Sequence, residues 1–393
     1  MRKQFALMLV ARSMASIIQV VALLVLARVV EPAALGAVSA IVGIGAFLSA
    51  LLDFGVGTFL LKLRALTPAD PRIHAALRLN DLTSVVLGVV VTVLALLFGI
   101  DPVPAVLLAV WILLDKNTDT QVSVATADGR MGPVTAIVLG RRVLGIVAFV
   151  ALLLAGMEPV LAFALGQTVG AVYGVVHGKL TTRAGLTRAD RFDYAGVIRD
   201  SRHFWVAVLS AQVRELDVAI ISVAASGASG GLYSVAMRLS KPATLFASSL
   251  ASVILPSAAR GGAAVARRNG RTIVWLALGS AVLGGLLWPL MPWLVILTAG
   301  DAYADATLPA QVLLVAMGFI ALCSPLGSLL QSQHHERFVA ANGVVFGVLT
   351  VLGLFVGALA GQATGAAIAL GVVYLAKFVS LSLRLSTVTR DAR

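Results

Sequence analysis

The stretch 204–256 places charged side chains inside two apolar segments, each long enough to cross a membrane. Three charges lie near the middle of the first segment and two lie within the second, namely Arg214, Glu215, Asp217, Arg238 and Lys241. A charge at the centre of a membrane helix opposes insertion by roughly 2.5–3.5 kcal/mol, whereas a Leu, Ile, Val or Phe favours it by only about 0.3–0.6 kcal/mol. These side chains must therefore face other protein or a water-filled cavity. We expect this hairpin to line the path of a polar, anionic substrate.

The basic residues of the hairpin have the chemistry that a phosphate or pyrophosphate requires. Arg238 and Lys241 share a helix face, and Lys241 lies at the same depth as Arg214. Guanidinium and ammonium groups in a low-dielectric cavity bind phosphate oxygens through charge-assisted hydrogen bonds. Because Arg214 also shares a face with Asp217, a purely structural ion pair is the alternative.

The first helix carries a polar stripe formed by Arg12, Ser16 and Gln19, at positions i, i+4 and i+7. Arg12 lies about 10 Å into the span, so its side chain either snorkels to the inner headgroups or faces a cavity. The stripe continues inward to Gln19, which favours the cavity. We therefore add Arg12 and Gln19 to the candidate substrate-binding residues.

Four acidic residues inside spans are candidates for proton or cation coupling, namely Asp53, Asp115, Asp119 and Asp217. Two of them belong to an unbroken polar run, 115–121, which cannot face lipid. Asp115 and Asp119, at i and i+4, repel each other unless one is protonated or both meet cations, and Lys116 and Asp119 are spaced to pair. A satisfied network between helices is the alternative to an ion site.

Composition indicates an all-α polytopic membrane protein. The 393 residues are 59% hydrophobic and 12% charged, with a mean hydropathy of +0.98. The net charge is +12, and the basic residues alternate with apolar spans. The positive-inside rule therefore explains this charge better than nucleic-acid binding does. The single Cys323 and the five histidines show no disulfide or metal-site spacing. No nucleotide-binding or catalytic motif is present, so we expect neither an enzyme nor a cofactor.

The loops predict about twelve transmembrane helices. We place them at about 5–29, 35–61, 75–99, 104–126, 134–155, 159–180, 203–225, 231–256, 272–298, 306–331, 338–359 and 364–386. Short acidic loops alternate with basic ones, which places both termini in the cytoplasm. The first apolar run is too long for a signal peptide, so we expect it to be retained.

A long basic loop near the midpoint divides the chain into two six-helix lobes. We predict lobes at 1–180 and 203–393, joined by a basic cytoplasmic linker at 181–202. Leu35-Gly36-Ala37-Val38-Ser39 resembles Leu232-Tyr233-Ser234-Val235-Ala236, at an offset of 197 residues, which indicates parallel repeats. Chance similarity between two small-residue turns is the alternative. In the sixth helix, glycines at four-residue spacing form a ridge for close helix packing, namely Gly166, Gly170, Gly174 and Gly178.

Three passages carry a resemblance to a known family. The first is the passage 26–36, LARVVEPAALG, and the second is Asp53-Phe54-Gly55-Val56-Gly57. The third is Asp217, followed by 231–239, GLYSVAMRL, and by Leu255-Pro256. Together they resemble the polysaccharide and O-antigen flippase family, in the superfamily of multidrug and toxin extrusion (MATE) exporters and lipid II flippases. The sequence departs from the family at Leu35-Gly36, where Tyr-Gly is usual.

The resemblance implies a MATE-like fold with alternating access, whose helices 1, 2, 7 and 8 line the cavity. It implies ion-coupled flipping of a polyprenyl-pyrophosphate-linked oligosaccharide from the inner to the outer leaflet of the bacterial cytoplasmic (inner) membrane. Four basic residues would hold the pyrophosphate, namely Arg12, Arg214, Arg238 and Lys241. The partners would be lipid-linked oligosaccharide, membrane lipids and, as a further candidate, polysaccharide polymerase machinery.

Four other functions are compatible with a membrane protein of this size. A MATE-type cation-coupled multidrug exporter would favour acidic cavity residues, whereas the first helix offers Arg12. A major-facilitator carrier would have a G-x-x-x-D-R-x-G-R-R loop, which 62–68 lacks. A membrane polymerase or ligase would have a long outer loop with paired basic residues. A non-transporting scaffold of a glycan-synthesis complex is the fourth alternative.

Overall fold

Helices form the regular structure of the chain in a computed structural model, which describes residues 2–182, 192–241, 279, 284–331, 333 and 335–391. In chain order these helices are α1 (Arg2–Ala27), α2 (Pro32–Asp53), α3 (Val56–Leu66), α4 (Arg72–Leu97), α5 (Pro102–Ala127), α6 (Met131–Leu154), α7 (Pro159–Thr182), α8 (Tyr194–Gln212), α9 (Asp217–Ala224), α10 (Gly227–Ser240), α11 (Met291–Ala299), α12 (Thr307–Gln331) and α13 (Glu336–Asp391). Short 3-10 helices occur at Val213–Leu216, Trp288–Leu290 and Asp301–Ala306. Over these ranges, seven segments are long and apolar enough to cross a membrane, and they lie in α1, α2, α4, α6, α7, α12 and α13. The predicted all-α polytopic class is confirmed.

Six predicted spans match observed helices to within three residues at each end, namely those of α1, α4, α5, α6, α7 and α12. Two others differ because the helix is interrupted inside the predicted span. The predicted span 35–61 ends at Asp53, and α3 follows after Phe54 and Gly55, which have φ values of 51° and 76°. The predicted span 203–225 is interrupted by the 3-10 turn Val213–Leu216.

The last two predicted spans form one long element, α13, whose helical path is interrupted at Gly361 and Gln362. Gln362 has a φ of 53° and a ψ of −138°, which ends the first half of α13 and begins the second. This break lies between the last two predicted spans, 338–359 and 364–386. The predicted spans 231–256 and 272–298 lie only partly within the described residues, and most of the predicted linker, 183–191, lies outside them.

Backbone contacts divide the chain into two compact units. The first contains Met1–Val30 and Ala37–Leu216, and the second contains Glu31–Gly36 and Asp217–Arg393. The helix α8 begins within the predicted linker and packs in the first unit. The two six-helix lobes and their linker, with the boundaries given above, stay a prediction.

The first unit is built around α7. Cβ atoms added at Gly166 and Gly170 would meet the α6 backbone, at 2.6 Å from Phe149 N and 2.1 Å from Arg141 O. The next two ridge glycines face α5, since Cβ atoms at Gly174 and Gly178 would each lie 3.0 Å from an α5 side-chain atom. The four-residue glycine ridge therefore acts as the close-packing surface that its spacing predicts.

A second cluster in the first unit joins α3, α4 and α8. Its buried side chains include Phe59, Leu60, Ile73 and Val197. In the second unit, α12 packs on both halves of α13 through Leu322, Leu326, Leu329 and Leu381. Each unit thus has its own apolar core, against which the polar groups described next are held.

Candidate functional site

The polar run of α5 meets two arginines of α6 in the first unit. Arg141 binds two carboxylates at once, through Nη1 to Asp115 Oδ1 at 3.3 Å and through Nη2 to Asp119 Oδ1 at 2.7 Å. Arg142 Nη2 lies 2.7 Å from Asp115 Oδ2. Each of the two carboxylates therefore meets a cation that the protein itself supplies. The sequence analysis did not single out these cations, Arg141 and Arg142.

Helix packing explains how Arg141 reaches two residues of α5. Gly170 lets α7 approach the carbonyl group of Arg141, and Gly174 leaves room beside its Cβ atom. The Arg141 side chain is only 9% exposed, so it extends from this contact through the interior to α5. The signal in the sequence was the pair Arg141-Arg142 itself, since two arginines near the middle of an apolar span need internal partners.

Lys116 does not pair with Asp119 but turns to α4. Its Nζ atom donates to Asn80 Oδ1 at 2.6 Å and to Thr83 Oγ1 at 2.8 Å. It also lies 3.3 Å from both Asn80 O and Ser84 Oγ. Every oxygen in this set is neutral. The spacing i, i+3 between Lys116 and Asp119 was compatible with an ion pair, but the neighbouring helices supplied better partners to each residue.

The neighbouring residues of α4 and α5 form a second hydrogen bond beside this contact. Asn117 Nδ2 donates to Asp81 Oδ1 at 2.5 Å. The amide groups of Asn80 and Asn117 each retain a buried atom without a hydrogen-bond partner, Nδ2 and Oδ1 respectively. The signal that sequence reasoning missed is the run Asn80-Asp81-Leu82-Thr83-Ser84, which interrupts an otherwise apolar span.

Asp53 lies where α2 gives way to α3. Its Oδ2 atom accepts a hydrogen bond from Gly57 N at 3.3 Å, so the carboxylate caps the first turn of α3. The chain turns here through Gly55, and a Cβ atom on that residue would lie 2.5 Å from Trp205 N. Trp205 in turn donates from Nε1 to Leu51 O at 3.0 Å. The carboxylate thus occupies a tightly built corner between α2, α3 and α8.

The polar stripe of α1 belongs to the first unit. Arg12 and Ser16 are exposed, while Ala11 and Ala15 are buried. Gln19 is half-buried, and its Oε1 atom is buried without a hydrogen-bond partner. The role of Gln19 in substrate binding stays a prediction.

The charged hairpin is divided between the two units. Arg214 lies in the 3-10 turn of the first unit, whereas Asp217 begins α9 in the second. Asp217 is 8% exposed, and its Oδ1 atom accepts from the backbone nitrogen of Val218 at 2.7 Å. The shared face of Arg214 and Asp217 stays a prediction.

The remaining two basic residues lie near the end of α10. Arg238 Nη1 donates to the carbonyl oxygen of Ser234 at 2.8 Å and also to the Ser234 hydroxyl. Lys241 follows the last residue of α10 and is exposed. The chain beyond Lys241, including Leu255-Pro256 of the resemblance, lies outside the described residues.

Solved membrane transporters share the fold over nearly the whole chain. An inward-facing multidrug resistance MATE family transporter of the MOP superfamily aligns with a TM-score of 0.74 and 12% identity, over 98% of this chain and 100% of that one. The lipid II flippase MurJ, in an inward closed conformation, gives a TM-score of 0.69 and 11% identity, over 97% of this chain and 87% of that one. A MOP superfamily transporter from Pyrococcus furiosus, described as having a binding pocket of reverse polarity, gives 0.61 and 12%, over 98% and 96%. The MATE-like fold is therefore confirmed.

Sequence comparison identifies the family. No curated protein matches the chain. The family model described as polysaccharide biosynthesis protein matches residues 1–261, which is about two thirds of the sequence. This match includes the polar network of the first unit and the described part of the charged hairpin. The chain therefore belongs to the polysaccharide biosynthesis protein family.

Proposed function

We propose that this protein flips a polyprenyl-pyrophosphate-linked oligosaccharide from the inner to the outer leaflet of the bacterial cytoplasmic membrane by alternating access. The observation that carries the proposal is the pairing of Asp115 and Asp119 with Arg141. The acidic residues best placed to attract a cationic substrate are already engaged by the protein's own guanidinium groups. The family match and the fold shared with a lipid II flippase support a lipid-linked glycan as the substrate.

The substrate's pyrophosphate would bind to basic residues of the first helix and of the charged hairpin. We propose that Arg12, Arg214, Arg238 and Lys241 hold it, and that Gln19 adds a hydrogen bond. Arginine suits this role because its planar fork of donors matches phosphate oxygens. The unpartnered Oε1 atom of Gln19 would accept from a hydroxyl group of the substrate.

Ion coupling would involve the acidic residues that the sequence singled out. Asp115 and Asp119 could take part only if Arg141 exchanged its partners. Asp53 has no ion pair within 4.0 Å among the described residues, and its carboxylate accepts a hydrogen bond of 3.3 Å from the backbone nitrogen of Gly57. Asp217 begins α9 and is buried. We propose Asp53 and Asp217 as the stronger candidates for this role.

The decisive experiment measures where the lipid-linked oligosaccharide accumulates. In a deletion strain, we expect the intermediate to build up in the inner leaflet, where a membrane-impermeant glycan-modifying enzyme added to spheroplasts cannot reach it. Expression of the native chain should restore the enzyme's access to the oligosaccharide. Purified protein in proteoliposomes should move the lipid-linked oligosaccharide between the two leaflets without polymerase.

Each alternative gives a different result in this experiment. A multidrug exporter would leave the intermediate's leaflet distribution unchanged, and its deletion would raise sensitivity to cationic drugs. A scaffold for a glycan-synthesis complex would affect the cells but would show no flipping in proteoliposomes. Either outcome would replace the proposed function.

A further inference from the structure

The contact between α4 and α5 resembles the coordination shell of a monovalent cation. Four oxygen atoms surround Lys116 Nζ within 3.3 Å, and all of them come from Asn80, Thr83 and Ser84. They comprise one backbone carbonyl, one amide carbonyl and two hydroxyl groups. An ammonium group has three N–H donors, so this site supplies more acceptors than hydrogen bonding to Lys116 requires.

The orientation of Asn80 indicates that the site is built for positive charge. Its side-chain oxygen faces Lys116 at 2.6 Å, while its Nδ2 atom is buried without a hydrogen-bond partner. Asn80 is 1% exposed, so water does not compensate this atom. A buried donor without a partner is unfavourable, so this orientation indicates that directing the oxygen at the cation outweighs the lost hydrogen bond.

The surrounding charges favour a cation without neutralising it by contact. Asp53 and Asp81 attract the Lys116 ammonium electrostatically. Within the part of the chain that the structure describes, neither carboxylate lies within ion-pair distance of Nζ. Asp81 is engaged instead by Asn117 at 2.5 Å. Carbonyl and hydroxyl oxygens backed by nearby carboxylates are the ligands that hard cations such as Na⁺ and K⁺ take in proteins.

We propose that α4 and α5 form a monovalent-cation site whose cation is the covalently attached ammonium of Lys116. The native protein therefore needs no free ion at this position. Removal of the side chain beyond Cβ would expose the four oxygen atoms to Na⁺ or K⁺. The inference does not depend on which lipid the protein carries, because it concerns a helix pair inside the first unit.

The test compares Lys116→Ala with Lys116→Met in the purified full-length protein. Thermal unfolding is followed in NaCl, KCl, methylammonium chloride and choline chloride at equal ionic strength. The native protein should unfold at the same temperature in all four salts. Lys116→Ala should unfold earlier in choline and be stabilised, in a saturable manner, by at least one of the three small cations.

Lys116→Met is the matched control because its unbranched apolar side chain fills the space but carries no charge. It should be destabilised equally in all four salts. Adding Thr83→Val to Lys116→Ala removes one oxygen ligand, so the half-maximal salt concentration should rise several-fold. The proposal is overturned if Lys116→Ala responds to salts as Lys116→Met does, which would make Lys116 a structural link between helices. It is also overturned if Lys116→Ala cannot be recovered folded in any of the small cations.

Discussion

Gly36 and Gly231 make reciprocal contacts in the second unit. A Cβ atom on Gly36 would lie 2.0 Å from Gly227 O, and one on Gly231 would lie 1.9 Å from Pro32 O. An offset of 195 residues maps Gly36 onto Gly231 and Pro32 onto Gly227, so each contact is the image of the other. This reciprocity supports the internal repeat, in a register two residues away from the offset of 197 that the sequence indicated.

We predict that Gly36→Ala and Gly231→Ala each destabilise the protein by about 1–3 kcal/mol, because the new methyl group meets a backbone carbonyl that cannot rotate away. The double substitution should cost less than the sum of the single ones, since one separation of the two segments relieves both clashes. Thermal unfolding of the purified variants measures these costs.

The control for this pair is Gly347→Ala, because no atom lies within 4 Å of a Cβ atom at Gly347. Alanine is the better helix former by about 0.8–1.0 kcal/mol, so this variant should be neutral or slightly stabilised. Fully additive costs at Gly36 and Gly231 would contradict a shared contact.

Asp115 and Asp119 should differ sharply in their contribution to stability. The Asp115 side chain is 17% exposed and binds both Arg141 and Arg142, whereas the Asp119 side chain is 65% exposed. We expect Asp115→Asn to cost about 3–5 kcal/mol, since it leaves two buried guanidinium groups undercompensated. Asp119→Asn should cost about 0–1 kcal/mol, as exposed pairs do.

Measurement of both variants separates a carboxylate that folding requires from one that it does not. If Asp119→Asn folds normally but loses ion-dependent transport, Asp119 belongs to the coupling machinery. Equal destabilisation by the two substitutions would show that exposure does not distinguish them, and the network would then act as one structural unit.

The corner at Gly55 combines a left-handed backbone with close packing. Alanine there would have to adopt a φ near 76° and would clash with Trp205 N and with Ser201 O, at 2.5 and 2.7 Å. We predict that Gly55→Ala detaches α8 from this corner and exposes its N-terminal half to limited proteolysis. Backbone strain alone costs about 1–2 kcal/mol, and the clash adds to it.

Gly129→Ala separates these two contributions. Gly129 has a φ of 72°, but no atom lies within 4 Å of the position of its Cβ atom. It should therefore show the cost of strain without that of the clash. If both variants lose the same stability and α8 stays protected, the contact with Trp205 contributes nothing.

The sequence predicted the helices well where the length of an apolar segment determines their bounds. The bounds of α4 to α7 follow from the need for about 20 apolar residues to cross a membrane. The breaks at Gly55 and at Val213–Leu216 were not predictable from hydropathy, because hydropathy does not depend on backbone conformation.

The partners of charged residues were harder to predict than the spans. Spacing within one helix suggested that Lys116 binds Asp119, yet α4 supplies oxygens to Lys116 and α6 supplies Arg141 to Asp119. Such choices depend on which helices pack together, and in this unit the glycine ridge of α7 determines where Arg141 lies. A periodicity argument within one helix contains no information about that packing.

Arg214 and Lys241 should be needed for transport and not for membrane insertion. The proposed pyrophosphate carries negative charge that these two residues would stabilise, so Arg214→Ala and Lys241→Ala should each abolish complementation of the deletion strain. Membrane abundance should remain at the native level, as measured by immunoblotting of membrane fractions.

Arg199→Ala is the matched control, because that side chain is 74% exposed on α8, close to the predicted cytoplasmic end. It should complement normally. Full complementation by both Arg214→Ala and Lys241→Ala would remove the basic residues of the hairpin from the substrate site, whereas loss of protein from the membrane would assign them to folding.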